Sequence, residues 1–363
     1  MTARFRIGAL ILGLLAALGG VEVTLRLINM GFGNSPMEPD PVLHHVHPRN
    51  YSFIQQHPSG ELGGFQIRYD ESGRVVGNTS PATGMPSSAA PCRVALMGDS
   101  FTEAGQVPFD QSFAGLLEHA ARRTCHIRNY GVRSYSPAIY LVQWTTQVAE
   151  WRPTHVFVLL FGGDVGEDVG YLASSVIREG WPVAIQGPAD GWLFATLRRS
   201  YLARFVRMVG MRAVWAWEHA GEAQWTVGVV VEEHPEWAGP TPGLLVELNR
   251  RVRASGAQLI LMAVPSRYRL MGDGRIAIEG KDFHDTVKAW SHDQGIEFLD
   301  LHAAFERASR AGVLLFFLQD IHFTAEGHAL VAAAIARAFP QAFGDGSAIT
   351  SRSVQAAFGG AHQ

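Results

Sequence analysis

The sequence is short of cysteine and of clustered charge. Two cysteines in 363 residues, Cys92 and Cys125, leave room for a single disulfide. Charged residues make up only 17%, the formal net charge is -3, and the 30 Lys and Arg are scattered without a basic run or an aromatic-basic pattern. That balance gives no footing for nucleic acid or another polyanion. A phosphate-cradling Walker A loop is missing, and Gly162-Gly163-Asp164 lacks the spacing of a dinucleotide fingerprint, so no nucleotide cofactor is implied. His44, His45 and His47 have no carboxylate or cysteine at ligand spacing beside them. They read as solvated linker histidines, and no metal is expected.

The first 30 residues differ from the rest: Arg4 and Arg6 precede the apolar, uncharged stretch from Ile7 to Val21, followed by Glu22 and Arg26. One reading is a signal peptide cleaved near Ala17-Leu18-Gly19. The other is an uncleaved anchor continuing through Val21, Val23 and Leu25 to about Ile28, with the arginines held cytoplasmic. The anchor is favoured because the apolar pattern runs past the cleavage site. Either way the remainder is exported, and secreted if the segment is removed.

With 47% hydrophobic and 10% aromatic residues, the chain can bury a sizeable core: one large domain with attachments. Residues 31–91 read as a linker and a small β element. Phe65 to Tyr69 alternates, Asp70 to Gly73 supplies a turn and Arg74-Val75-Val76 returns, which predicts a hairpin, with loop from Gly77 to Pro91.

From Arg93 a strand–helix rhythm sets in. Asp110 can cap a helix carrying Phe113, Leu116, Leu117 and Ala120 on one face. A strand over His126–Tyr130 follows, then a helix from Ser136-Pro137 to about Glu150, then a buried strand over His155–Phe161. Residues 165–240 interrupt the rhythm. Within them, Trp192 to Trp217 mixes large apolar residues with Arg198, Arg199, Arg204, Arg207 and Arg212. This piece reads as a cover over a site, as helices packed on the sheet, or as a surface lying on a membrane, the last disfavoured because the arginines do not segregate cleanly. The rhythm resumes with a helix over Pro242–Ser255, a strand over Gln258–Pro265, a helix over Asp282–Asp293, a strand over Glu297–Leu301 and a helix from Thr324 to Phe339. Five strands alternating with helices imply an α/β fold, a flavodoxin-like three-layer sandwich with a parallel sheet of about five strands over residues 92–343. The Gly/Ser/Ala-rich tail, 344–363, is expected to fray.

Cys92 precedes the first core strand and Cys125 the next. If those strands are parallel neighbours, both sulfurs lie at one edge of the sheet. In an oxidising compartment they can pair, worth roughly 3–4 kcal/mol by loop closure; two reduced, half-buried thiols are the alternative.

The chemistry is organised around Arg93 to Ser100. An apolar run of strand length ends abruptly in Gly98-Asp99-Ser100, so the serine surfaces where open α/β sheets bind ligands. A serine there needs a base, an acid to orient that base, and donors for an oxyanion. Asn129-Tyr130-Gly131, Gly162-Gly163-Asp164 and Asp320-Ile321-His322 supply candidates in order.

These blocks resemble the SGNH/GDSL hydrolases from Arg93 to Phe339. The N-terminal anchor, the hairpin before the first block and Gly327-His328 after the last resemble exported, membrane-anchored members of that superfamily. The resemblance implies Ser100 as nucleophile, His322 as base and Asp320 as the acid that orients it. It implies the N–H groups of Ser100 and Gly131 as oxyanion donors, glycine suiting a close approach of backbone to substrate. Family members usually place an asparagine in the third block; here that position is Gly163, without a side-chain amide, and Asn129 is a substitute candidate. Many members carry the acid three residues before the histidine, where this chain has Gln319, and Asp320 takes its place. Asp99 and Asp164 read as structural, and His328, His119, His126 and His155 as packed or surface residues. The implied activity is ester hydrolysis on an O-acylated sugar, cell-envelope polysaccharide or other extracellular substrate. The alternatives are O-acyl transfer through the same acyl-serine, and a degenerate domain that binds glycan without catalysis.

Overall fold

The chain opens on α1 (Ala3–Leu27), whose most apolar window has a mean hydropathy of 2.0 and is 0% buried. By length and composition it can span a membrane or act as a signal sequence. The computed structural model describes residues 3–28, 30, 36–77, 92–121, 125–189, 191–220, 237, 239–265, 283–343 and 348–358.

Two small antiparallel pairs follow: β1 (Glu38–Asp40) with β2 (His44–Val46), and β3 (Ser52–Gln56) with β4 (Gly63–Arg68). The expected hairpin forms, but only as the shorter of two pairings. The Phe65 strand has its longer partner upstream in β3, and the return beyond Asp70 closes a short antiparallel ladder through the Tyr69–Val75 bridge and the Val76 N–H to the Arg68 carbonyl. The turn itself forms, with Asp70 Oδ1 accepting from the N–H groups of Ser72 and Arg74 and Gly73 at φ +82. Of the predicted loop after it, residues 78–91 lie outside the described residues. Two of the histidines expected to be solvated, His45 and His47, are packed. His47 is buried, stacked on Tyr69 at 4.2 Å, with Nε2 3.2 Å from Glu103 Oε2. His45 Nε2 pairs with the Arg133 carbonyl at 2.8 Å. Polar rings are tolerated inside when partnered, and these partners lie far along the chain.

The central domain runs β5 (Arg93–Gly98), α2 (Ser100–Glu103), α3 (Phe113–Ala120), β6 (His126–Asn129), α4 (Pro137–Gln143) and β7 (His155–Leu160). The cap of α3 is Ser112, whose Oγ accepts from Gly115 N–H; Asp110 lies in a tight turn before it. At α4 Ser136 stands at the N-cap, as its place before Pro137 suggests, but the capping acceptor is Asp168. Ser136 Oγ donates to Asp168 Oδ1, and that carboxylate accepts Ala138 N–H at 2.7 Å.

Residues 165–240 hold most of α5 (Asp164–Ala173), the hairpin β8 (Ser175–Arg178) and β9 (Trp181–Ile185), then α6 (Trp192–Arg199) and α7 (Tyr201–Glu218). α7 rests on the β3–β4 element rather than the central sheet: Tyr201 Oη donates to the Ser52 carbonyl, and the Arg204 guanidinium lies 4.9 Å from the Phe53 ring centre. Residues 221–236 lie outside the described residues.

α8 (Thr241–Ala254), β10 (Gln258–Ala263), α9 (Phe283–Asp293), β11 (Glu297–Phe298), α10 (His302–Arg310) and α11 (Ala325–Ala338) complete the rhythm. α12 (Pro340–Phe343) and α13 (Arg352–Phe358) follow. The tail is therefore not frayed over 352–358: Ser353 is buried and its N–H donates to Glu326 Oε2 at 2.7 Å.

The parallel sheet has the order β11-β10-β7-β5-β6, a doubly wound arrangement whose direction switches between β5 and β7. Side chains of β5 alternate between its faces. Val94 and Leu96 join a core with Phe113, Leu117 and Leu330; Ala95 and Met97 join another with Tyr140, Leu245 and Val287. Cys92 and Cys125, at the starts of β5 and β6, are disulfide-bonded.

Candidate active site

Ser100 is exposed to chemistry by two local devices. Gly98 adopts φ +155, and a Cβ there would meet Thr102 Oγ1 at 2.1 Å, so only glycine lets the chain turn this sharply off β5. Asp99 then caps α2, its Oδ1 accepting from Phe101 N–H at 2.9 Å. Ser100 thus becomes the first residue of a helix at the switch point of the sheet.

His322 arrives on the loop between α10 and α11, pinned by the Phe316–Phe323 bridge and by Thr324, which caps α11. His322 Nε2 lies 2.7 Å from Ser100 Oγ. Its Nδ1 pairs with Asp320 Oδ1, and that oxygen also accepts the His322 backbone N–H at 2.9 Å. A carboxylate at Nδ1 fixes the proton there and leaves Nε2 as the acceptor facing the serine O–H. The ring packs 4.8 Å from Phe101, in a largely apolar setting.

Burial pushes both charges of the His322–Asp320 pair toward neutrality, and the pair resists. Asp320 is raised by burial, but the His322 charge and hydrogen bonds hold it at about 2. Burial depresses His322, yet Asp320 and Asp99 carry its pKa above the ordinary imidazole value, Arg133 opposing. Asp99 is pushed up to about 7 by burial, with His322 and the Phe101 N–H pulling the other way.

The other sequence candidates fall into structural places. Gly131 is corrected as an oxyanion donor: its N–H donates to Asn129 Oδ1 at 2.8 Å. A Cβ on Gly131 would meet Glu103 N at 2.4 Å, so the close approach that requires glycine is to the α2 backbone. Asn129 Nδ2 donates to the Thr102 carbonyl at 2.7 Å, so this side chain buttresses α2 and does not replace the missing amide. Gly163 stands at the N-cap of α5 and offers backbone alone. Asp164 accepts from Phe161 N–H and from Tyr140 Oη, and burial raises its pKa well above the carboxylate range. The Ser100 N–H, at the first position of α2, has no intrahelical acceptor. His328 is fully buried inside α11 and held at about 3 by burial.

Two residues near the site carried no sequence signal. Glu61, between β3 and β4, accepts the backbone N–H groups of Leu318 and Gln319. His57 Nε2 lies 3.9 Å from the second oxygen of Asp320. Neither belongs to a motif; their role follows only from the β3–β4 element lying against the acid loop.

A doubly wound sheet with a Gly-Asp-Ser turn at its switch point defines a hydrolase of the α/β class. Residues 96–330 match the GDSL-like lipase/acylhydrolase family, and the chain belongs to that family, whose members are hydrolases of ester bonds. Among solved structures, it is similar to an α/β hydrolase from the metagenome of Lake Arreo, at 16% identity over 72% of this chain and 98% of that one, with a TM-score of 0.40. It is also similar to Axe2, an acetylxylan esterase from Geobacillus stearothermophilus, at 15% identity over 68% and 94% of the two chains, with a TM-score of 0.37. No curated protein matches the chain.

Proposed function

We propose that this ester hydrolase is membrane-anchored and removes O-acyl groups from an extracytoplasmic carbohydrate through an acyl-Ser100 intermediate. Residues 1–30 form the anchor, 31–91 a linker and β element, and 92–343 the catalytic domain. The observation that carries the chemistry is the 2.7 Å approach of His322 Nε2 to Ser100 Oγ, with Asp320 at Nδ1. Ser100 Oγ attacks the ester carbonyl while its proton passes to His322 Nε2; Asp320 stabilises the imidazolium. His322 then protonates the departing sugar oxygen, leaving acyl-Ser100. Water attacks the acyl carbon, its proton passing to His322, and Ser100 is restored as the carboxylic acid leaves. The Ser100 N–H is the backbone donor for the oxyanion in both steps.

The α1 helix and the Cys92–Cys125 disulfide support the compartment, since disulfides persist in oxidising surroundings. The carbohydrate rests on the resemblance to exported SGNH members and on that compartment.

A second reading, a domain that binds acylated glycan without turnover, is favoured by one feature: Gly163 has no side-chain amide and Gly131 N–H is engaged by Asn129. Turnover of a chromogenic acetyl ester by the full chain in detergent decides between them. The esterase reading expects activity that falls on the order of 10⁴-fold or more in Ser100→Ala and His322→Ala. A rate equal in wild type and both variants supports binding alone.

A further inference from the structure

Beyond the triad, the largest unexplained feature is a row of exposed apolar side chains on α6 and α7. Val206, Val209, Ala213 and Trp217 recur at spacings of three and four, which puts them on one stripe of α7. That stripe faces outward: Val206 is 60% exposed, Val209 51% and Trp217 79%. On α6, Leu193, Phe194 and Leu197 are also exposed. The opposite side of α7, with Tyr201 and Met208, is the buried one.

The arginines sort once the helix is seen in place. Arg204, which spoiled the separation in the sequence, turns inward between Tyr51 and Phe53. Exposed Arg207 falls on one flank of the stripe, whereas Arg212 reaches back to Gly60 in the turn between β3 and β4. An outward apolar stripe with a cation at its edge fits a helix lying in a lipid interface.

What should cover the stripe is indicated by α1. The last turns of α1 are bound to the α6–α7 junction: Glu22 Oε2 accepts from Ser200 Oγ and Leu202 N–H, each at 2.8 Å. Arg26 donates to the Arg199 carbonyl at 3.0 Å and lies 5.0 Å from the Tyr201 ring centre. The stripe therefore starts where the apolar segment of α1 ends. An 18-residue α7 is about 27 Å long.

We infer that α6 and α7 lie on the outer surface of the same bilayer that α1 enters, with the α7 stripe in the acyl–headgroup boundary and Arg207 at anionic headgroups. This rests on the anchor reading above. The fold then meets the membrane through two attached elements, and the β3–β4 element that contacts the acid loop is held at a fixed height over the lipid.

The test uses the full chain in nanodiscs of phosphatidylethanolamine and phosphatidylglycerol, one chain per disc. An environment-sensitive fluorophore is placed at Val209→Cys, at Leu12→Cys to report α1, and at Asp293→Cys, whose side chain is 74% exposed, as the aqueous reference. The expected result is a blue-shifted label at position 209, quenched by lipids spin-labelled near the headgroup, with 12 quenched by deep labels and 293 unaffected. A label at 209 that behaves like 293 while 12 is quenched overturns the inference and spares the anchor. If 12 is also unquenched, the anchor reading fails and takes the inference with it. Shielding of 209 only in discs that hold two chains assigns the stripe to a second copy and overturns it as well. In the chain labelled at Val209→Cys, Val206→Glu with Ala213→Glu is expected to release 209 from lipid quenching with turnover of a soluble ester unchanged.

Discussion

Glu61 Oε2 accepts the Gln319 backbone N–H at 2.7 Å, one residue before Asp320. Its other oxygen accepts Leu318 N–H. A residue outside the 96–330 family match thus fixes the loop that carries the acid of the triad.

Replacing Glu61 with alanine should loosen that loop and leave two amides without their acceptor. Misplacement of about 1 Å can cost on the order of 100-fold. The expected outcome is a fall in kcat of about 10- to 100-fold with KM for a small ester little changed, read by steady-state kinetics. A variant whose kcat is unaltered would remove Glu61 from the account.

The pH profile follows from His322. Its pKa is raised by Asp320 and Asp99 against burial, and the base works only when neutral. The kcat/KM should therefore rise with pH through a value above the ordinary 6.5. In Asp320→Asn the charge that raises it is gone, so the acid limb should move to lower pH while kcat falls about 10⁴-fold. A limb that moved upward would contradict the assignment.

Glu167 offers a stability test. Burial, with Asp99 and Asp168 adding repulsion, raises its pKa to about 8. The folded state then binds a proton more tightly than the unfolded one. The stability this group contributes is complete below the unfolded value near 4.5 and is lost as pH rises through about 8. Calorimetric Tm values of Glu167→Gln should equal or trail wild type at pH 5 and gain on it steadily up to pH 9.

The disulfide sits at the starts of β5 and β6, the end of the sheet opposite Ser100. Cys92→Ser with Cys125→Ser should lower unfolding stability by roughly 3–4 kcal/mol, seen in denaturant titration, with kcat on a soluble ester unchanged at 25 °C.

The readable parts of this chain are those whose cause is local. Apolar runs of strand length marked β5, β7 and β10, and Gly98-Asp99-Ser100 and Asp320-Ile321-His322 are short enough to be seen as units. What stayed hidden depends on distant partners. Glu61 and Leu318 are 257 positions apart, so no pattern announces their pairing. His47 looked like a solvated linker residue until Tyr69 and Glu103 closed around it. Gly131 shows the limit of reading glycine by type: the need for it is real, but the crowding atom belongs to α2 and its N–H goes to Asn129. Arg204 blurred the α7 pattern because only the fold shows which arginine turns inward.

The most direct test of the central claim is the intact mass, with peptide mapping, of the full chain treated with a serine-directed phosphonate. One phosphonate on Ser100, absent from Ser100→Ala and formed far more slowly in His322→Ala, is the predicted result. No adduct, or an adduct that persists in Ser100→Ala, would contradict a nucleophilic Ser100 activated by His322.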